Sequence, residues 1–170
     1  MSQMLTEVRY RAPWYTKRIA QNRQIVKFLI DRILQHSEPD FPWSKSDLKY
    51  LKYDDLLEIA IATVNKNLEI TLGAGSDYSN NVDAKFSVVR KNGTAKNPQY
   101  SALISGCQNK EHVFACVYEE NKEKFYFFSF PVHLKQHSIP FDRDSFEPRL
   151  DNYMWQYKYD TFEEMALSKQ

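Results

Sequence analysis

The side chains best suited to chemistry lie close together in the sequence. They are Asp77, Asp83 and Lys85, within the run Ser76-Asp77-Tyr78-Ser79-Asn80-Asn81-Val82-Asp83-Ala84-Lys85. Carboxylates are hard oxygen donors of the kind that hold Mg²⁺ while leaving positions on the ion for water. An ammonium group beside them stabilises negative charge that develops during attack on a phosphodiester. The spacing supports a common site. Val82, Ala84, Phe86 and Val88 alternate with Asp83, Lys85, Ser87 and Val89, the period-two pattern of a half-buried strand. On such a strand Asp83 and Lys85 are neighbours on the open face, their Cα atoms about 6.5–7 Å apart. The acid–x–Lys pattern recurs at Asp47-Leu48-Lys49 and Glu120-Asn121-Lys122, but only the Asp83–Lys85 copy combines an alternating strand with another acid nearby.

How Asp77 meets the pair depends on the intervening turn. A turn on Asn80-Asn81 alone sets Asp77 opposite Ala84, facing away from Lys85. A three-residue turn from Asn80 to Val82 sets it opposite Lys85 on the same face. In other registers Glu69 or Glu58 becomes the better second carboxylate.

The elements that must position these groups follow from periodicity. Ile19, Val26, Leu29, Ile30, Ile33 and Leu34 recur at helical spacing over about 16–35, and Leu57, Ala60, Ile61 and Val64 do so over 54–65. Asp54 and Asp55 suit the start of the second of these helices. A shorter helical region is expected from about Ser46, after a loop containing Pro39 and Pro42. Leu68, Ile70 and Leu72 alternate with polar residues in a short strand. Residues 91–99 form a polar loop with an Asn92-Gly93 turn pair, and 99–108 is a weaker helix candidate. Val113–Tyr118 and Phe125–Phe130 are near-continuous apolar runs that predict a hairpin in the middle of a sheet. In the tail, alternation of Tyr153, Trp155, Tyr157 and Tyr159 points to one more strand.

The chain of 170 residues is long enough for one domain with a substantial core. It divides into a basic N-terminal arm and helix over 1–45, a core over 54–130 and a C-terminal extension over 131–170. No leader-like or bilayer-length apolar run is present, so a soluble cytoplasmic protein without membrane contact is expected. Cys107 and Cys116 read as reduced, buried thiols. The four histidines show no paired zinc-ligand spacing, and Gly73-Ala74-Gly75-Ser76 completes neither a dinucleotide nor a phosphate-loop motif.

Net charge is only +1, but its distribution is uneven. Residues 1–36 carry seven bases against two acids, 84–110 carry five bases and no acid, and 142–170 carry four bases against seven acids. That asymmetry suits a polyanion-binding face with an acidic far side. Lys17, Arg18, Arg90, Lys91 and Lys96 are the candidate phosphate contacts.

The order helix, strand, acid, turn, acid–x–Lys strand resembles the PD-(D/E)XK nucleases, the fold of many type II restriction endonucleases. The residues that carry the resemblance are Asp77, Asp83 and Lys85, with Ser76 standing where that family usually has proline. The resemblance implies an α/β restriction-endonuclease-like core, with a central mixed β-sheet flanked by helices. It implies that Asp77, Asp83 and the Ala84 carbonyl hold Mg²⁺, and that Lys85 positions or activates the attacking water. Glu58 would match the extra helical acid that some members use. The implied activity is Mg²⁺-dependent hydrolysis of double-stranded DNA, as a homodimer because two strands need two sites. A homing, junction-resolving or repair nuclease is the alternative within the class. A non-catalytic nucleic-acid-binding or protein-interaction module is the alternative outside it.

Overall fold

A computed structural model describes residues 22–71, 76–105, 109–132 and 138–169. In chain order the elements are α1 (Arg23–His36), α2 (Lys45–Leu48), α3 (Tyr53–Val64), β1 (Val82–Val88), β2 (Arg90–Gly93), β3 (Pro98–Leu103), β4 (His112–Glu119), β5 (Lys124–Pro131) and β6 (Ser138–Phe141). A 3-10 turn (Trp155–Tyr157), β7 (Lys158–Tyr159) and α4 (Phe162–Leu167) complete the set.

Helix α1 starts where the Asn22 side chain accepts hydrogen bonds from the Gln24 and Ile25 N–H groups, satisfying two donors that the first turn leaves free. It buries Ile25, Leu29, Ile30 and Ile33, one helical stripe. The expected helix over 16–35 is therefore present from Arg23, and residues 16–21 lie outside the described residues. Helix α3 is different in kind. Nine of its twelve residues are buried, so it is a central helix packed against α1, β1 and α4 rather than a surface one.

Two sheets lie beside the helices. A mixed four-stranded sheet has the order β1-β4-β5-β7, with β1 parallel to β4 and the other pairs antiparallel. An antiparallel three-stranded sheet has the order β2-β3-β6. One core, between the helices and the larger sheet, holds Leu56, Leu57, Ala60, Ile61, Val82, Ala84, Phe114 and Cys116. A second core, between the two sheets, holds Ala102, Ile104, Val113, Ala115, Val117, Phe128, Phe130 and Ile139. The architecture is mixed α/β around a central mixed sheet. The side chains of β1 alternate between faces as expected, with Val82 and Ala84 toward the helices, but the other face is not open at its start, where Asp83 is 3% exposed. Asp83, Lys85 and Ser87 pair in register with Val113, Ala115 and Val117 and so share the opposite face. The β4–β5 hairpin sits in the middle of the sheet, as its two-sided apolar pattern predicts.

Three expectations change. Of the stretch expected as a helix over 99–108, the residues up to Leu103 belong to strand β3 and 106–108 lie outside the described residues. Ala102 and, just past the strand, Ile104 are buried while Leu103 is 64% exposed. Adjacent Leu103 and Ile104 imitate a helical pair, but they lie on opposite faces of extended chain. The polar run 91–99 is a hairpin of β2 and β3 rather than a loop. Gly93 closes β2 at φ +83, with the space for a Cβ only 2.6 Å from the Asn97 carbonyl oxygen. Of the strand expected from the 153–159 alternation, only Lys158–Tyr159 extends the four-stranded sheet, and Phe162, Met165 and Ala166 form the buried face of α4. The Asn65 side chain fixes the end of α4 by donating to the carbonyls of Ala166 (2.9 Å) and Lys169 (2.6 Å). Among the described residues no helix is long and apolar enough to cross a membrane. Cys116 is buried and free, its thiol pushed well above the ordinary range by burial, and Cys107 lies outside the described residues.

Candidate active site

Strand β1 is an edge strand, and an edge leaves every second backbone N–H without a ladder partner. Here carboxylates take them. Ala84 N–H donates to Asp77 Oδ2 at 3.0 Å, and Phe86 N–H donates to Asp54 Oδ1, from the first turn of α3, at 2.6 Å. Two acids are thereby drawn to one strand edge for a structural reason before any chemistry is considered.

The turn that delivers Asp77 runs over Ser79-Asn80-Asn81. Tyr78 bridges Val82 on one side and Ile70 on the other, and its N–H donates to the Val82 carbonyl at 2.9 Å. Asn80 and Asn81 both take left-handed conformations, φ +64 and +59, which asparagine tolerates better than most residues. This loop matches neither turn expected from the sequence. It starts one residue earlier than the three-residue version and sets Asp77 opposite Asp83, rather than opposite Lys85 or Ala84. Asp77 N–H accordingly donates to Asp83 Oδ1 at 2.9 Å. The two carboxylates therefore interlock: each accepts from backbone on the opposing segment.

Lys85 Nζ stands 3.7 Å from Asp83 Oδ2. A second lysine, Lys110, stands 4.0 Å from Asp83 Oδ1 and donates to Ser76 Oγ at 3.2 Å. Lys110 was not among the expected site residues. It arrives because β4 pairs parallel with β1 from Val82↔His112 onward, which brings the residues just before both strands together. Its place at the end of the acid-free 84–110 run was visible in the sequence, but a parallel register between distant strands was not. Asp83 is 3% exposed and Lys110 is also largely covered, so these charges act on one another with little solvent screening.

Burial raises the Asp77 carboxyl from an ordinary 3.8 to about 6, with the charges of Asp83 and Asp54 adding to the rise and the Ala84 N–H and Lys85 opposing it. A carboxyl whose ionised form is penalised first by burial and then by like charges holds its proton to higher pH.

Tyr78, fully buried, donates its hydroxyl to the Glu58 carbonyl at 2.5 Å and ties the Asp77 hairpin to α3. Tyr78→Phe is expected to lower stability by about 1 kcal/mol, the typical net contribution of one hydrogen bond, as read from a urea midpoint. Glu58 itself is 1% exposed. Among the described residues no three His, Cys, Asp or Glu side chains are grouped to hold a metal ion, so Glu58 is not assembled with Asp77 and Asp83 as a third ligand. Glu69 is exposed, and its carbonyl accepts from Ser79 N–H at 2.9 Å.

Two carboxylates nevertheless suit Mg²⁺, which is commonly held by one or two protein carboxylates together with water and substrate phosphate. With one oxygen of each acid held by backbone, Asp77 Oδ1 and Asp83 Oδ2 are the oxygens left to the site. Ala84 presents its N–H toward Asp77, and the geometry of a strand puts its carbonyl on that same edge. The donor set is hard, anionic and beside an ammonium, and it fits the ion.

The other acid–x–Lys matches do local work. Asp47 accepts from the Ser44 N–H in a capping box, and Glu120 lies 3.8 Å from Arg90. Arg90 and Lys91 are exposed on β2 and Lys96 in the loop after it, whereas Lys17 and Arg18 lie outside the described residues. His133 and His137 also lie outside them. His112 sits 2.6 Å from Ser129 Oγ, and burial lowers its pKa to about 4, so the ring is neutral at physiological pH. Compared with protein-family models, curated proteins and solved structures, the chain matches none of them.

Proposed function

We propose that this chain is a Mg²⁺-dependent DNA endonuclease of the restriction-endonuclease-like kind, most simply a sequence-specific type II enzyme acting as a homodimer. One observation carries the reading: Asp77 and Asp83 lie opposite each other across a three-residue turn, and Lys85 stands 3.7 Å from Asp83 on the same strand face. Asp77, Asp83 and the Ala84 carbonyl would hold the ion. When bound, Mg²⁺ supplies a charge clamp on the phosphate and a water of lowered pKa. Lys85, next to Asp83 and 27% exposed, is placed to orient the attacking water and to offset charge developing on the phosphate. Lys110 holds Asp83 from its other side and is a positioning residue. Its contact with Ser76 fixes the segment that leads into Asp77.

The test is incubation of the purified chain with supercoiled plasmid. Nicked and linear products are expected with Mg²⁺ and none with EDTA, and activity is expected to return when Mg²⁺ is restored in excess. Plasmid left intact in Mg²⁺ and in Mn²⁺ would leave the binding-module alternative standing in place of the enzyme.

A further inference from the structure

The three-stranded sheet contributes nothing to the carboxylate cluster, yet its outer face has a narrow chemistry. Pairing of Arg90 with Ser101 and of Asn92 with Gln99 puts these four side chains on one face, and their inward-facing neighbours Ala102, Ile139 and Phe141 are buried. The sheet positions on that outer face include no acid: besides those four they are Leu103, Ser138 and Pro140. Arg143 and Arg149 flank it, and with Asn92, Gln99 and Ser101 they line a cleft of about 460 Å³. Arg143 Nη1 donates to Asn97 Oδ1 at 3.3 Å. Of the nearby acids, Asp142 accepts from the Asp144 and Ser145 N–H groups of its own turn, Glu147 pairs with Lys122 and Tyr126, and Glu120 lies 3.8 Å from Arg90 itself.

Arginine, asparagine and glutamine are the side chains that make two-point contacts to guanine and adenine edges, and a β-ribbon fits the major groove of B-form DNA. A second cleft, also about 460 Å³, shares Asn92 and Ser101 with the first and runs on to Ser87, Phe86 and Tyr53. Ser87 is two residues from Lys85 on the same face of β1. The outer face thus leads by contiguous surface toward the candidate catalytic edge.

We infer that the outer face of β2-β3-β6 reads base edges in the major groove of double-stranded DNA, with Arg90, Asn92, Gln99 and Arg149 as the specificity-determining side chains. The inference deepens the nuclease reading and rests on it for the choice of duplex DNA. Its test is a binding selection on the full chain, with Ca²⁺ replacing Mg²⁺, from duplexes carrying a randomised centre. Wild-type protein is expected to enrich one motif. Gln99→Ala and Arg149→Ala should each relax discrimination at one base pair by about tenfold or more while leaving the other positions unchanged. Lys96→Ala should weaken all duplexes alike, the behaviour of a phosphate contact. Melting curves matching wild type confirm that these exposed substitutions leave the fold intact. Enrichment of no motif, a preference for single strands or RNA, or wild-type discrimination in both variants would overturn the inference. The selection needs no cleavage, so a motif found with a chain that fails to cut plasmid would remove the nuclease reading and leave the recognition surface standing.

Discussion

Asp83→Asn is expected to abolish Mg²⁺-dependent plasmid nicking, a loss on the order of 10²–10³-fold or more, because it removes the charge that both binds the ion and balances two lysines. Asparagine keeps an oxygen to accept from Asp77 N–H, so the hairpin register should survive. Lys85 and Lys110, at 3.7 and 4.0 Å, lose their shared counter-charge, and some loss of stability is expected with the loss of activity. Lys85→Ala provides the contrast. It should reduce the rate by a similar order while leaving Mg²⁺ binding intact, since the carboxylates are untouched. Titration of Mg²⁺ against thermal midpoint separates the two: Lys85→Ala should still be stabilised by the ion and Asp83→Asn should not. Cleavage by Asp83→Asn at the wild-type rate would remove residue 83 from the chemistry altogether.

Asp77→Asn should change stability in a pH-dependent way whose sign depends on metal. In the folded chain Asp77 titrates near 6, against an ordinary 3.8. Between those values the folded state binds more protons than the unfolded state, so the contribution of Asp77 to stability falls as pH rises through about 4 to 6. Asparagine carries no such penalty and can still accept the Ala84 N–H. Without divalent ions the variant should therefore gain on wild type across this window, by up to about 3 kcal/mol at roughly 1.4 kcal/mol per pH unit. His112 has the opposite slope: its pKa is lowered from 6.5 to about 4, so its contribution rises with pH over that interval. It is present in both proteins and drops out of the difference. Adding Mg²⁺ at pH 7 should reverse the order, because the ion stabilises the chain with two carboxylates more than the chain with one. Parallel stability–pH curves for the two proteins would place Asp77 in an ordinary, well-solvated setting and contradict the burial described here.

The parts of this molecule readable from sequence are those fixed by local pattern. The β1 alternation placed Asp83 and Lys85 on one face because side-chain direction along a strand depends on nothing beyond the strand itself. The β4–β5 hairpin and the helix ending at Val64 were legible for the same reason. What escaped the sequence depends on pairing between distant segments. The parallel register that brings Lys110 to Asp83 is set by packing of two cores, and nothing near residue 110 announces it. The Asp77–Asp83 opposition turned on one residue of loop length, set by left-handed backbone at both Asn80 and Asn81. Strand β3 was misread because two adjacent apolar residues serve a helix stripe and a two-faced strand equally well. Helix α4 was missed because its six residues are too few to show periodicity, and its identity rests on docking against α3.

The carboxylates that occupy the outward N–H groups of Ala84 and Phe86 also govern how copies of this chain can meet. An incoming strand finds the outward N–H donors of Ala84 and Phe86 already taken by side-chain oxygens, which disfavours continuous sheet across two subunits along this stretch. If the chain pairs symmetrically as proposed, the pair would have to join through another surface, which would leave both carboxylate clusters available to opposite strands of one duplex.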